Sequence, residues 1–321
     1  MGISAYLKEI GRGKEGARAL SRAQAADLMG QLLDNQLTDL EIGAFCLAMR
    51  IKGETPDEMA GFLDATTCRL TPLDSPHQAP ALVIPSYNGS RKMPLLTPLL
   101  AMLMARHGFA VLVHGCSTEA QRVSSEQVFA ALDWPVTANT ATLVPGKVRY
   151  LRTHDLCPAL QKLLDVRRTV GLRNPAHSMV KMINPLRGPA LLVSSYTHPE
   201  YAISMSQTLS LVQAHALLLR STEGEPVADP RRTPAMIAFV HGQAMPMRTL
   251  QKGSLTELTP LPQDNDPETT ARYIEDVLQG HQPVPPPIAQ QVEVLLSLGH
   301  QVSDFHRSVL SHEATAPQTQ G

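Results

Sequence analysis

The chain has 321 residues, of which 43% are hydrophobic and 18% are charged, and its formal net charge at pH 7 is −1. This size and composition are typical of a globular protein with one large domain or two unequal ones. There is no apolar run of about eighteen residues, no signal-peptide core and no paired cysteine spacing, which argues against a membrane span, secretion, a zinc site and a disulfide framework. We therefore expect a cytoplasmic protein with reduced cysteines.

The charge is distributed unevenly along the chain. Residues 1–78 hold 8 Lys/Arg and 11 Asp/Glu, residues 79–190 hold 13 and 5, and residues 191–321 hold 7 and 13. A local patch attracts phosphate groups more than the total charge does, so the basic middle third is a candidate anion-binding region.

The N-terminal region is predicted to be a small helical domain. Three capping boxes follow one another, formed by Ser21 with Gln24, Thr38 with Glu41, and Thr55 with Glu58. Apolar residues recur at helical spacing after each box, so three short helices are expected.

Strand and helix patterns alternate after this region. The strand-like runs are 81–84, 109–113, 190–194 and 216–219, and the helical runs are 95–105, 125–132 and 201–213. This alternation is typical of a mostly parallel sheet covered by helices. The predicted fold class is therefore α/β, with a small N-terminal helical domain and a larger α/β domain around a mostly parallel central sheet.

A segment in the helical region carries a family resemblance. Residues 44–55 read A-F-C-L-A-M-R-I-K-G-E-T and resemble the A-x-L-x-A-x-R-x-K-G-E-T signature of the anthranilate phosphoribosyltransferases, which share their fold with the pyrimidine nucleoside phosphorylases. The resemblance implies a helical dimerisation domain at 1–73, joined by helices from about 158–185, an α/β domain at 80–321, and a homodimer.

The loop after the first strand departs from that family. The family has a Gly-Thr-Gly-Gly-Asp turn and then Asn-Ile-Ser-Thr, where this chain has P-S-Y-N-G-S at 85–90 and P-L-L-T at 94–97. Proline has no N–H and leucine has no hydroxyl, so most of the phosphate donors are lost. We predict a degenerate phosphate loop made of Tyr87, Asn88, Gly89, Ser90, Thr97, His114 and Gly115, and no catalytic residues.

Three further positions are compared with the family motifs. His114-Gly115 is kept from the family's Lys-His-Gly-Asn-Arg, although a lone histidine after a strand is more often structural than catalytic. Arg173 matches the arginine of Gly-x-Arg-Thr, which holds the aromatic acid in the family. Glu225 matches one member of the family's acidic magnesium pair while the aspartate is missing, so no metal site is expected.

One subgroup of the superfamily fits the altered motifs better. The loop at 85–92, the L-T-P-L-L run at 96–100, H-P-E-Y at 198–201 and T-E-G-E at 222–225 are similar to those of the bacterial YbiB-type proteins. That resemblance implies a nucleic-acid-binding homodimer on a phosphoribosyltransferase scaffold, without the biosynthetic activity, a cofactor or membrane association.

The first functional hypothesis is therefore sequence-tolerant binding of DNA or RNA. Its predicted contacts are the basic residues of the middle third: Arg91, Lys92, Lys147, Arg149, Arg152, Lys162, Arg167, Arg168, Arg173 and Lys181. Arginine and lysine that neutralise phosphates release counterions, so such binding weakens steeply with salt. The competing interpretation, that these charges form a solvated face paired with the acidic thirds, stays open.

The second hypothesis is a surviving pentosyltransferase, related to anthranilate phosphoribosyltransferase, that acts on a different substrate. A reduced site could be formed by Asn88, Gly89, Ser90, Thr97, Arg173 and Glu225. This reaction would need a pyrophosphate clamp and magnesium, the only cofactor that either hypothesis involves.

Overall fold

The computed structural model describes residues 2–13, 15–76, 79–117, 119–134, 142–253 and 259–315, with side chains described as far as residue 302. The N-terminal part is a bundle of four helices: α1 (Ser4–Ile10), α2 (Arg22–Leu33), α3 (Asp39–Lys52) and α4 (Pro56–Thr67). The predicted capping boxes are confirmed, because Ser21, Thr38 and Thr55 each cap one of the last three helices. In the third box the buried Glu58 carboxylate also accepts a bond from Lys52 Nζ at 2.6 Å, which ties α3 to α4.

The rest of the chain alternates between strands and helices. Its strands are β1 (Leu73–Asp74), β2 (Ala81–Ser86), β3 (Ala110–Gly115), β4 (Val148–Arg152), β5 (Leu186–Arg187), β6 (Ala190–Tyr196), β7 (Ala216–Arg220), β8 (Met236–Val240) and β9 (Gln243–Arg248). Its helices are α5 (Thr97–Arg106), α6 (Ser125–Ala131), α7 (Thr153–Leu156), α8 (Pro158–Val170), α9 (Ala176–Met179), α10 (Pro199–Leu211), α11 (Pro267–Gln279) and α12 (Pro286–Thr315).

Seven of the strands form the central sheet in the order β4-β3-β2-β6-β7-β8-β9. The pairs from β4 to β7 are parallel, and β8 and β9 add an antiparallel hairpin at one edge. The predicted α/β class with a mostly parallel sheet is therefore confirmed. The order of the strands reverses between β2 and β6, and in such sheets ligands bind beyond the carboxyl ends of the strands at that point.

Both faces of the sheet are buried, as a parallel sheet requires. On one face, Val83 and Leu112 share a core cluster with the helical bundle and with α8 and α9. On the other face, Leu82 and Val111 pack with the apolar sides of α5, α6, α11 and α12. The division into domains at 1–73 and 80–321, with the helices of 158–185 joining the first, stays a prediction.

No helix within the described residues is both long enough and apolar enough to cross a membrane.

Candidate functional site

The loop that joins β2 to α5 lies at the carboxyl edge of the sheet, where the order of the strands reverses. Arg91 and Lys92 are exposed, but the uncharged polar side chains of the loop and its flanks are almost completely buried: Ser86, Tyr87, Asn88, Ser90 and Thr97. Gly89 has φ +66°, and a Cβ there would lie 2.6 Å from the carbonyl oxygen of Val123, so only glycine fits this close approach. The loop is therefore a packed part of the scaffold.

The carboxylate of Glu225 is inserted into this loop. Its Oε1 accepts a hydrogen bond from the backbone N–H of Gly89 at 2.7 Å. Its Oε2 accepts bonds from Ser86 Oγ at 2.5 Å and Thr97 Oγ1 at 3.0 Å. Glu225 is only 2% exposed, so these three loop donors are directed at a carboxylate of the same chain.

The neighbouring Glu223 binds the same loop further along. Its Oε1 accepts bonds from the backbone N–H groups of Lys92 at 2.9 Å and Arg91 at 3.4 Å. Its carbonyl oxygen accepts a bond from Asn88 Nδ2 at 3.1 Å. The acidic segment, residues 222–225, is thus attached to the loop by two carboxylates and a carbonyl group.

Lys181 and Ser195 hold the acidic segment from the other side. Lys181 Nζ and Ser195 Oγ donate to the carbonyl oxygen of Gly224 at 3.2 and 2.9 Å. Burial lowers the pKa of Lys181 to about 8, and the negative charge of Glu225 partly offsets that shift. Lys181 therefore lies against the acidic segment, where it also lines a small cavity.

The acidic segment does not fit the magnesium site that the family resemblance would imply. Magnesium is usually held by carboxylates together with substrate phosphates, and both carboxylates here already accept bonds from loop donors. No group of three or more His, Cys, Asp or Glu residues that could hold a metal ion occurs in the described ranges.

A basic cleft of about 1270 Å³ lies beside the loop, beyond the carboxyl ends of β6 and β7. Its lining contains six cationic side chains, from Arg122, Arg173, Arg220, Arg231, Arg232 and Lys252. Two acidic side chains, from Glu223 and Asp229, line it within the part of the chain that the structure describes. The lining therefore has a clear excess of positive charge.

Three of these cations have no polar partner among the described residues. Arg173, Arg220 and Lys252 are exposed, and their side chains make no ion pair or hydrogen bond with the described part of the chain. In contrast, Arg231 pairs with Asp229 at 2.8 Å. Arg232 Nη1 donates to the carbonyl oxygens of residues 251 and 253.

Glu119 gathers three arginines at the end of the cleft. Its carboxylate pairs with Arg167 at 2.9 Å, with Arg122 at 3.4 Å, and with Arg91. Burial alone would raise the pKa of Glu119, but the hydrogen bond from Arg167 and the nearby positive charges outweigh it and hold the pKa at about 2. Arg122 also pairs with Glu223 at 3.7 Å, so three cations share two anions and the cluster keeps an excess of positive charge.

The ten basic residues predicted from the sequence are not brought together into one surface. Arg173 lines the cleft, while Arg91 and Arg167 reach its edge through Glu119. Lys92 is exposed on the loop, and Lys181 bonds the acidic segment and lines the smaller cavity next to the cleft. The other five lie outside the cleft. Three of them form ion pairs: Arg152 with Glu126, Arg168 with Asp165, and Lys162 with Asp39. Arg149 is half-buried on β4, and Lys147 precedes β4, which is the edge strand on the opposite side of the sheet.

Two residues assigned to the degenerate phosphate loop have packing roles. His114 is completely buried on β3, and burial lowers its pKa to about 4. A Cβ at Gly115 would lie 1.8 Å from the carbonyl oxygen of Ser86, so glycine allows β2 and β3 to approach.

The sequence interpretation missed five of the six cations in the cleft: Arg122, Arg220, Arg231, Arg232 and Lys252. Arg220 carried a usable signal, because it directly follows the predicted strand 216–219, and strand carboxyl ends line ligand sites in parallel sheets. The others lie on turns and loops that no short-range pattern places at this edge.

A second, smaller cavity of about 310 Å³ adjoins the cleft and reaches the end of α3. It shares Arg173, Thr197 and His198 with the cleft, so the two are continuous. This cavity has the size of a small-molecule site.

Comparison with known proteins finds relatives of this chain by sequence. Residues 4–67 match the sequence model of the helical bundle domain of the glycosyl transferase family. The chain is 39% identical to the uncharacterized protein YbiB of Escherichia coli (strain K12), over 90% of this chain and 92% of that protein. It is 27% identical to the anthranilate phosphoribosyltransferase of Synechococcus sp. (strain JA-3-3Ab), over 82% of this chain and 78% of that enzyme.

Solved structures show the same fold at lower identity. The crystal structure of anthranilate phosphoribosyltransferase (TrpD) from Thermus thermophilus matches with a TM-score of 0.69 and 21% identity, over 93% of this chain and 89% of that chain. The Saccharomyces cerevisiae enzyme in complex with PRPP and Mg matches with a TM-score of 0.68 and 14% identity, over 96% and 91%. The chain therefore has the fold of the anthranilate phosphoribosyltransferases and belongs to the family of Escherichia coli YbiB.

Proposed function

We propose that this protein binds nucleic acid, DNA or RNA, in the basic cleft, largely without regard to base sequence. The observation that carries the proposal is the lining of the cleft: its described residues include six arginine and lysine side chains and two carboxylates, and three of the cations have no partner within the described ranges. An open surface of this charge attracts a polyanion, and counterion release supplies the free energy.

The chemistry of the lining favours contacts to phosphate over contacts to bases. Five of the six cations are arginines, whose planar guanidinium group can donate two parallel bonds to phosphate oxygens. No Phe, Tyr or Trp occurs among the described residues that line the cleft, so stacking on bases has little support. Contacts to phosphates position a nucleic acid without reading its sequence.

The size of the cleft points in the same direction. Small-molecule pockets usually measure about 300–1,000 Å³ and enclose most of their ligand. The cleft is larger, at about 1270 Å³, and its unpaired cations are exposed to solvent. A polymer that passes through the cleft fits these dimensions better than a single metabolite does.

A pentosyltransferase with a changed substrate is the second candidate. It is favoured by the names of the enzymes that the chain resembles and by the small cavity that adjoins the cleft. The state of the loop argues against it, because Gly89, Ser86 and Thr97 already donate to Glu225 and a pyrophosphate group would have to displace that carboxylate.

Fluorescence anisotropy with labelled single-stranded and double-stranded oligonucleotides tests the proposal. We expect binding that weakens steeply between about 50 and about 200 mM NaCl. The double variant Arg173→Ala/Arg220→Ala should bind about tenfold or more weakly, since a hydrogen bond to a charged group contributes about 1.5–3 kcal/mol, and its salt slope should be shallower by about two. Lys147→Ala is the matched control, because Lys147 is exposed at the opposite edge of the sheet.

The outcomes separate the two candidates. Calorimetry with phosphoribosyl pyrophosphate and magnesium is run on the same protein. Saturable, magnesium-dependent heat together with negligible affinity for oligonucleotides would reject nucleic-acid binding in favour of the transferase. Equal losses of oligonucleotide affinity in the double variant and in Lys147→Ala would show that the cleft is not the binding surface. We also propose that the protein is a cytoplasmic homodimer, and sedimentation velocity tests the assembly state.

A further inference from the structure

The loop between β2 and α5 has the donor arrangement of an anion site. One donor comes from the end of β2 (Ser86 Oγ), one from the loop backbone (Gly89 N–H) and one from the first residue of α5 (Thr97 Oγ1). The N-terminus of a helix also carries a partial positive charge, which favours an anion at this point. All three donors meet on the carboxylate of Glu225.

A carboxylate in this position prevents a phosphate group from entering. Each donor can serve one strong acceptor, and all three already do so. A phosphate would also meet two negative charges, because Glu223 accepts the next two backbone N–H groups of the loop. Like charges that cannot separate inside a protein repel strongly.

The carboxylate is held there by a fixed segment. Gly224, next to Glu225, has φ +82°, and its carbonyl oxygen is bound by Lys181 and Ser195. Asn88 binds the carbonyl oxygen of Glu223 from the loop side. Since both sides are attached, withdrawing Glu225 would break bonds on two elements at once.

We infer that Glu225 is a built-in anion that occupies the phosphate position of this loop and excludes phosphate groups from it. Glu225 thereby restricts phosphate recognition to the arginines and lysines of the basic cleft, which favours polymers over small phosphate esters. The occupancy of the loop does not depend on whether the cleft binds nucleic acid.

Removing the carboxylate should expose the anion site. In Glu225→Ala the three donors lose their acceptor, and added oxyanions can replace it. We expect the Tm of this variant to be lowered, and to rise saturably with formate, inorganic phosphate or pyrophosphate by about 2 °C at ten times Kd, relative to chloride at the same ionic strength. The wild-type protein should lack this rise beyond whatever the cleft contributes, and calorimetry should detect in the variant a pyrophosphate site that the wild-type protein does not have.

Gln291→Ala is the matched control. Gln291 is also completely buried, and it bonds Ala228 N–H and the carbonyl oxygen of Pro226 close to the acidic segment, but it is neutral. Its loss should lower the Tm without a rise specific to oxyanions.

Several outcomes would overturn the inference. One is a Glu225→Ala protein that responds to oxyanions no more than Gln291→Ala does. Another is wild-type protein that binds pyrophosphate and loses this binding in Thr97→Val. If Glu225→Ala is insoluble, it is refolded from denaturant in phosphate or in chloride: greater recovery in phosphate supports the inference, and equal or no recovery refutes it.

These readouts are independent of the proposed function. Oxyanion rescue in Glu225→Ala together with no oligonucleotide binding by the wild-type protein would keep this inference and reject nucleic-acid binding. Oligonucleotide binding by the wild-type protein without oxyanion rescue in Glu225→Ala would keep nucleic-acid binding and reject this inference.

Discussion

Two buried histidines near the loop should make the stability of the protein sensitive to mild acid. His114 is completely buried, and burial lowers its pKa to about 4. His177 is 5% exposed, and burial, followed by the positive charges of Arg173 and Arg167, lowers its pKa to about 3. A histidine in the unfolded chain binds a proton below a pH of about 6.5, whereas both of these histidines stay neutral in the folded protein at a pH of about 5.

The free energy of unfolding should fall as the pH drops below about 6.5. Each pKa is lower in the folded state, so the unfolded chain binds more protons and acid stabilises the unfolded chain. The free energy of unfolding should fall by about 2 kcal/mol per histidine at a pH of about 5. Urea unfolding measured between about pH 7 and 5 checks this. The double variant His114→Gln/His177→Gln should lose most of the slope, and an unchanged slope would mean that other groups cause it.

At the level of single residues, the sequence identified some site residues and concealed others. Arg173 was predicted from a local motif and does line the cleft. Residues 191–321 seemed acidic as a block, yet they supply Arg220, Arg231, Arg232 and Lys252, four of their seven basic residues, to the same surface. Summing charge along the chain hides a patch whose members are far apart in sequence.

The acidic segment depends on one glycine at its centre. Gly224 has φ +82°, and a Cβ there would lie 1.7 Å from Asn88 Nδ2 and 3.3 Å from Thr197 Cγ2. A side chain at this position would have to push Asn88 away from the carbonyl oxygen of Glu223, which would leave a buried acceptor unpaired.

Gly224→Ala should therefore destabilise the protein more than an ordinary glycine replacement at positive φ. The backbone penalty of about 1–2 kcal/mol is shared with Gly171→Ala, because Gly171 ends α8 at φ +75° with nothing within 4 Å of its Cβ position. Crowding at Gly224 should add about 1–3 kcal/mol. The urea midpoints of Gly224→Ala and Gly171→Ala measure this difference in stability. Equal losses of stability in the two variants would show that the acidic segment is not closely packed around Gly224.

At the level of elements, locally determined features were predicted best. The caps of α2, α3 and α4 follow from contacts three residues apart, and all three are confirmed. The strand-like runs that became β2, β3, β6 and β7 are apolar because both faces are buried. In the central sheet, β4, β8 and β9 were missed. The strand β4 is rich in arginine and β9 is an exposed edge strand containing Pro246, whereas β8 has an apolar pattern, M-I-A-F-V, like that of the strands that were predicted.

At the scale of the whole molecule, the cleft results from the topology. Its cations come from four parts of the chain: the turn after β3, the loop after α8, the end of β7 and the loops around the antiparallel hairpin. Only the strand order brings these segments to one edge of the sheet. Long-range pairing of this kind leaves no short-range signal in the sequence.

The face of α3 that points away from the bundle is unusually apolar. Leu40, Leu47 and Ile51 are 83%, 47% and 56% exposed, and their spacing of seven and four residues places them along one side of the helix. Exposed large apolar side chains in a row mark interaction surfaces, and a two-fold axis lets one such face cover its own copy. The family resemblance also implies dimerisation through the helical domain, so we propose a second copy of this chain as the partner of this face.

Leu47→Lys/Ile51→Lys should convert the dimer into a monomer, because a two-fold interface would then hold four lysines facing an apolar surface. Sedimentation velocity on the wild-type protein and the variant measures this, and circular dichroism checks that the helices are retained. Val144→Lys is the control, because Val144 is 57% exposed on the loop before β4, outside the bundle. A wild-type monomer would reject the homodimer, whereas a variant that still sediments as a dimer would move the interface away from α3.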